Sequence, residues 1–246
     1  MSRIAGKAAL VTGANRGIGR AFVEELLAAG ASKVYAAARN RESLADLVEQ
    51  GQGRVVAVAL DVTRPETIAA AAKAQGDVAL LINNAGVANF AGLIAAKNTD
   101  PARNEMETNY FGVLNVTRAF APVLAKNGGG TLVNISSIAG HVNFPMAGSY
   151  SASKAAVHSL TQGVRAELGA QGTLVVGVYP GPVDTDMAAS FEAEKATPND
   201  VARSILEAVE AGDEDVYPDA TSAQMHAGLL GDPKAVEKQT GAMLPA

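Results

Sequence analysis

The chain contains no cysteine, which excludes disulfides and Cys-based metal sites from its architecture. Its only histidines, His141, His158 and His226, are not spaced as metal ligands, so no metal site is expected. No apolar stretch reaches the length of a membrane-spanning helix. Residues 1–7 lead into a strand-like run without signal-peptide architecture, so the expectation is a cytoplasmic protein with no membrane partner. There is no basic run, and 20 basic against 25 acidic residues leave a net charge of -5, which argues against nucleic acid as a partner. Internal repeats and low-complexity tracts are also missing.

What is present is a composition able to build a full core. Hydrophobic residues make up 48% and charged residues 18% of 246 positions, too little charge for disorder. Short apolar runs at 8–12, 33–37, 55–60, 78–82, 131–135 and 174–179 read as strands. Between them, residues 18–29, 41–49, 65–74, 101–125, 150–168 and 198–211 carry helical periodicity. Near-continuous apolar strands suit a sheet buried on both faces, and strand–helix alternation implies parallel crossovers. The expectation is a single α/β domain over 1–246, a Rossmann-type doubly wound parallel sheet with helices on both faces. Its cofactor-binding half would span about 1–100 and its catalytic and substrate half about 101–246. A short last strand is expected at 215–217, then a loop and one helix over 218–246.

Two motifs carry chemistry. The first strand runs into Thr12-Gly13-Ala14-Asn15-Arg16-Gly17-Ile18-Gly19, and a helix follows. Glycines there permit a tight turn and let backbone N–H groups approach a pyrophosphate at the helix N-terminus. The second motif is Tyr150-Ser151-Ala152-Ser153-Lys154, with Ser137 thirteen residues before the tyrosine. Positions i and i+4 share a helix face, so phenol and ammonium can meet. A lysine charge about 4 Å away, at an effective dielectric of about 20, is worth roughly 4 kcal/mol, enough to bring a phenol of pKa ~10 toward neutrality.

With these residues in order, the chain resembles the short-chain dehydrogenases/reductases from about residue 7 to about residue 187. The match rests on the glycine loop, Asp61-Val62, Asn83-Asn84-Ala85-Gly86, Asn109, Ser137, the Tyr150/Lys154 pair and Pro180-Gly181-Pro182-Val183-Asp184-Thr185. The resemblance implies that Tyr150 is the acid/base and also meets the cofactor, that Lys154 tunes it and holds the nicotinamide ribose, and that Ser137 polarises the substrate oxygen. It further implies that Asn109 holds a water linking Lys154 to solvent. Gly13, Asn15, Arg16, Gly17, Ile18 and Gly19 would cradle the cofactor phosphates. Asp61 and Val62 would meet the adenine, Asn83 would brace the sheet, and Asn84, Ala85 and Gly86 would line the cleft. Pro180, Gly181, Val183 and Thr185 would meet the nicotinamide. Ala38 stands where NAD-preferring relatives carry an acid, whereas Arg39 and Arg16 supply two guanidiniums, so NADP(H) is the expected cofactor.

Segments after these motifs offer a substrate wall: Phe90, His141, Val142, Asn143, Phe144, Met187 and Phe191. It is mostly apolar, which favours a hydrophobic small-molecule carbonyl or alcohol. Many relatives associate through the two long helices, and Phe111, Val113, Leu114, Val116, Phe120 and Val123 exceed one sheet-facing stripe. A homodimer is expected, a homotetramer being the other possibility. The alternative to an NADP(H)-dependent oxidoreductase is a catalytically silent NADP(H)-binding sensor or scaffold, against which the complete Ser137, Asn109, Tyr150 and Lys154 set argues.

Overall fold

The computed structural model describes residues 2–189, 192 and 194–245. Seven parallel strands form one sheet in the order β3-β2-β1-β4-β5-β6-β7. They are β1 (Ala8–Thr12), β2 (Lys33–Ala38), β3 (Val55–Ala59), β4 (Val78–Asn83), β5 (Thr131–Ile135), β6 (Leu174–Val178) and β7 (Asp215–Val216). β1, β4 and β5 are buried at every position, as a sheet covered on both faces requires. One face is covered by α1 (Gly17–Ala28), α2 (Ala45–Gln50) and, later in the chain, Pro198–Ala211, through Phe22, Leu26, Leu47, Ile205 and Val209. The other face is covered by α3 (Pro65–Ala74) and the helices between β4 and β6, through Ile68, Val116, Phe120 and Leu124. The architecture is the doubly wound Rossmann type expected from the strand–helix alternation. No helix among the described residues is long and apolar enough to cross a membrane.

Two expectations change. Residues 101–125 read as one regular helix. The chain instead forms α4 (Asp100–Glu105), a π-helical segment Met106–Phe111, and α5 (Gly112–Lys126). Asn109 sits in the π segment, fully buried, and its side chain bonds outside the helix. Such π-helical turns are rare and are frequent at functional sites. The C-terminal stretch holds two helices, not one: after α6 (Gly148–Gly169) and α7 (Pro198–Ala211) come α8 (Ala220–Gly231) and α9 (Pro233–Gly241). Asp219 caps α8 by accepting from Ser222 N–H, and Asp232 caps α9 by accepting from Ala235 N–H, with Pro233 at the first helical position.

Within α5, the chain itself buries Val113, Val116 and Phe120, while Phe111, just before it, stands 44% exposed. The strand order reverses beside β1, whose neighbours are β2 and β4. In open α/β sheets that reversal opens a crevice at the carboxyl ends of the strands.

Candidate active site

At that crevice the ends of β1 and β4 are pinned together. The Thr12 hydroxyl accepts from the N–H groups of Asn84 and Ala85 at 3.0 Å each, and Asn84 Nδ2 donates to the carbonyls of Thr12 (2.9 Å) and Gly13 (3.2 Å). Gly13 (φ 66°) and Gly17 (φ 53°) adopt left-handed conformations that glycine takes without strain. A Cβ on Gly19 would stand 2.1 Å from the Gly13 carbonyl oxygen. The loop therefore closes tightly, and α1 begins with no side-chain cap on its first amides. Uncapped N–H groups at the start of a helix form an anion site. Beyond it stand exposed Arg16 and Arg39, with Ala38 between strand and loop. Arg16 pairs across the cleft mouth with Asp186 at 3.3 Å. Asp61 accepts from the Thr63 N–H (2.9 Å) and hydroxyl (2.7 Å). Burial would raise its pKa, but these bonds, with Arg39 and Arg64 nearby, hold it below the usual carboxylate range. These residues suit a phosphorylated dinucleotide.

The facing wall is built from buried side chains. Lys154 lies on α6 one turn after Tyr150; its ammonium donates to the Ile135 carbonyl at 2.8 Å and sits 5.7 Å from the tyrosine ring centre. Ser137 follows β5 in extended backbone; its hydroxyl accepts from Ala139 N–H and donates to the Pro180 carbonyl at 3.3 Å. Ser136 is turned away, donating to the Lys154 carbonyl at 2.9 Å. Asn109 accepts from Val87 N–H (2.8 Å) and donates to Val87 C=O and the Ser153 hydroxyl (2.9 Å each). Both amide hydrogens of its side chain are thus used within the protein, and Oδ1 keeps one accepting position. A Cβ on Gly86 would lie 3.2 Å from Asn109 Oδ1 and 3.6 Å from Lys154 Nζ, so this glycine leaves the pair open to the cleft.

The electrostatics differ from the simple Coulomb expectation. Burial pushes Tyr150 up to about 12; hydrogen bonding by Ser137 pulls it down, and the charge of Glu105 adds to the rise. Burial pushes Lys154 down to about 8. In water-poor surroundings the cost of stripping hydration from an ion outweighs an ammonium held against a backbone carbonyl. At neutral pH the phenol therefore keeps its proton, which fits it to be a donor.

One cleft of about 970 Å³ joins the two walls. It is lined by Gly13, Asn15, Arg16, Gly17, Ile18, Gly19, Arg39, Asp61 and Val62 on one side. Asn84, Ala85, Gly86, Ser137, Tyr150 and Lys154 follow, with Pro180, Gly181, Val183 and Thr185. Of the substrate-wall candidates, Phe90, Phe144 and Met187 line it. His141, Val142 and Asn143 do not appear in its wall. Val142 is buried, and Asn143 donates to the Gly148 carbonyl at 3.2 Å. Phe191 lies outside the described residues. Asn109 acts from behind the lining. Met146, which also lines the cleft, was not anticipated; its N–H donates to the Met243 carbonyl at 2.9 Å, and no sequence signal joins those two segments. Asp219 was missed too: besides capping α8 it accepts from Gly181 N–H at 2.8 Å and fixes the proline turn.

His141 instead joins a cluster behind the site. Its ring lies 4.5 Å from His158, 4.3 Å from Tyr179 and 6.1 Å from His226, between ring centres. His158 Nδ1 and the Tyr179 hydroxyl are 2.7 Å apart, and Tyr179 donates to Asp215 at 3.2 Å. Among the described residues no group of His, Asp or Glu is arranged to hold a metal ion. Burial, with the neighbouring histidines, pushes His141 down to about 4, so this imidazole is neutral at physiological pH.

A family model described as short chain dehydrogenase matches residues 7–196. A solved short-chain dehydrogenase from Burkholderia cenocepacia J2315, in complex with NADP, superposes with a TM-score of 0.92 at 42% identity, covering 98% of this chain and 99% of that one. An uncharacterized oxidoreductase of Staphylococcus aureus (strain USA300) is 36% identical over 221 residues, 85% of this chain and 93% of that protein. The 3-oxoacyl-[acyl-carrier-protein] reductase FabG of Vibrio cholerae is 33% identical over 239 residues, 94% of this chain and 86% of that protein.

Proposed function

The chain belongs to the short-chain dehydrogenase/reductase family, and on that premise we propose that it is an NADP(H)-dependent oxidoreductase interconverting a ketone or aldehyde and its alcohol. The observation that carries the reading is the convergence of Ser137, Tyr150 and Lys154 on a cleft whose other end is an uncapped helix start behind a glycine loop. NADPH, when bound, supplies the hydride to the carbonyl carbon. The protein does the rest. Ser137 and Tyr150 hydroxyls aim hydrogen bonds at the substrate oxygen as negative charge grows there. Tyr150 then gives that oxygen its proton. Lys154, anchored at Ile135, keeps a positive charge beside the phenolate that remains. In oxidation the same atoms work in reverse.

Arg39 and Arg16 support the choice of the 2′-phosphorylated cofactor, because no acid occupies position 38 to repel it. The Burkholderia relative bound to NADP agrees with this choice, and the relative named as a 3-oxoacyl reductase agrees with the reaction class. Phe90, Phe144, Met146 and Met187 make the substrate end apolar, which favours a hydrophobic carbonyl. Exposed Phe111 beside α5 supports association of two copies through α5 and α6, checked by light scattering of the purified chain.

The test is a panel of ketones, aldehydes and alcohols with NADPH, NADH and their oxidised forms, followed at the nicotinamide absorbance. Turnover of apolar carbonyls with NADPH is expected. No turnover with any compound, while NADPH still binds, would overturn the enzymatic reading in favour of a nucleotide-binding sensor.

A further inference from the structure

Glu105 is a fully buried acid at the end of α4, directly before the π segment that carries Asn109. It does not line the cleft, so it touches neither substrate nor cofactor. Its Oε1 accepts from the Asn89 N–H at 2.7 Å. Its Oε2 is buried with no donor from the protein. Asn89 also reaches back to α4, its Nδ2 donating to the Pro101 carbonyl at 3.1 Å. Two residues earlier, Val87 is held at both its N–H and its C=O by Asn109. The loop at 87–90 is thus strapped to the helix from two points one helical turn apart.

The strap has a purpose visible at its end. Phe90, the next residue after Asn89, takes a left-handed backbone conformation (φ 47°), which a bulky residue adopts only when its surroundings compel it. In that conformation its ring lies 6.4 Å from the ring of Tyr150, tilted by 40°. Cleft lining and catalytic phenol meet there.

We propose that Glu105 is a positioning residue of the active site: its buried carboxylate fixes the 87–90 loop and, through Phe90, packs the wall of the cleft against Tyr150. The proposal rests on the catalytic reading above. A glutamine would hold the Asn89 N–H as well, through its amide oxygen. The charged groups beside the phenol are Lys154 from its own helix and Glu105 from α4, while Ser137 from the end of β5 hydrogen-bonds it. Glu105 opposes loss of the phenol proton and Lys154 is pinned to Ile135, so Tyr150 stays a proton donor to higher pH.

Three chains test this: wild type, Glu105→Gln and Glu105→Leu. Amide exchange at Asn89 needs no turnover and reads the strap alone. Protection should survive in the glutamine variant and fall at least about tenfold in the leucine variant, the equivalent of one lost hydrogen bond. With a carbonyl substrate and NADPH, the leucine variant should lose kcat and raise KM, and glutamine should rescue KM. Wild-type Asn89 protection in Glu105→Leu overturns the proposal. If that variant does not fold, wild-type Asn89 protection in Glu105→Asp, whose shorter side chain withdraws the acceptor from Asn89, overturns it. If no carbonyl is reduced by the wild type, the catalytic reading has failed, and Asn89 exchange in the glutamine and leucine variants still decides the strap.

Discussion

The two walls of the cleft are made of different material. The wall after β1, β2 and β3 works through backbone: left-handed glycines, uncapped helix amides and arginines at the rim, all near solvent. The wall formed by 86–90, α4, the π segment and α6 works through buried polar side chains, each tied by particular partners: Asn109 to Val87 and Ser153, Lys154 to Ile135, Glu105 to Asn89. Backbone binding depends on space, because any Cβ at the wrong glycine fills the cradle. Buried side chains depend on charge and hydrogen bonding, because an unpaired group there costs about 1–3 kcal/mol or more. The first wall should fail by steric change and tolerate changes of pH; the second should fail by loss of a single atom and respond to pH.

Three experiments break or sharpen that contrast. The largest effect belongs to Gly19→Ala, which adds one methyl 2.1 Å from the Gly13 carbonyl oxygen. Overpacking of about 3 kcal/mol at the loop predicts a loss of roughly a hundredfold in NADPH affinity by calorimetry; unchanged affinity would show that the loop does not bind the phosphates. Next is Arg39→Asp. Losing a charge-assisted contact of about 1.5–3 kcal/mol should weaken NADPH by about ten- to hundredfold while sparing NADH, and equal losses for both coenzymes would remove Arg39 from the 2′-phosphate site. The smallest is acid sensitivity of the histidine cluster. His141 is depressed to about 4 in the folded chain, whereas an unfolded histidine titrates near ~6.5. Between those values the unfolded chain binds the proton and the folded chain does not, so stability is full above pH ~6.5 and falls as pH drops toward about 4. In thermal melts the wild type should lose stability more steeply than His141→Phe as pH falls across this window; parallel curves would remove His141 as the cause.

The same contrast explains what could be read from the sequence. The sheet was legible because buried parallel strands are near-continuous apolar runs with fixed crossovers. The first wall was legible because glycine spacing reports backbone geometry directly. Ser137, Tyr150 and Lys154 were legible as a spaced set converging on the cleft, but their proton affinities were not: burial of the phenol depends on what packs over it, and the lysine was expected to dominate where desolvation does. The π segment at Asn109 was hidden because its apolar periodicity reads as an ordinary helix. His141 read as a cleft residue because it follows Ser137, yet Tyr179, His158 and His226 draw its ring to the far side. Asp219 and Asp232 were visible as helix caps before Ser222 and Pro233, and could have revealed the second C-terminal helix. Met146 and Met243 meet only in three dimensions.

The central claim is that Tyr150 passes the proton in a cleft whose cofactor wall is independent of it. Tyr150→Phe removes one oxygen from a half-buried ring in the cleft wall and leaves the glycine loop and arginines untouched. NADPH titration and turnover measured on the same preparation of this variant decide the matter. The account predicts affinity within about twofold of wild type and a fall in kcat of about 10²–10⁴, the range of a lost general acid. Retained turnover, or loss of NADPH binding together with turnover, would contradict it.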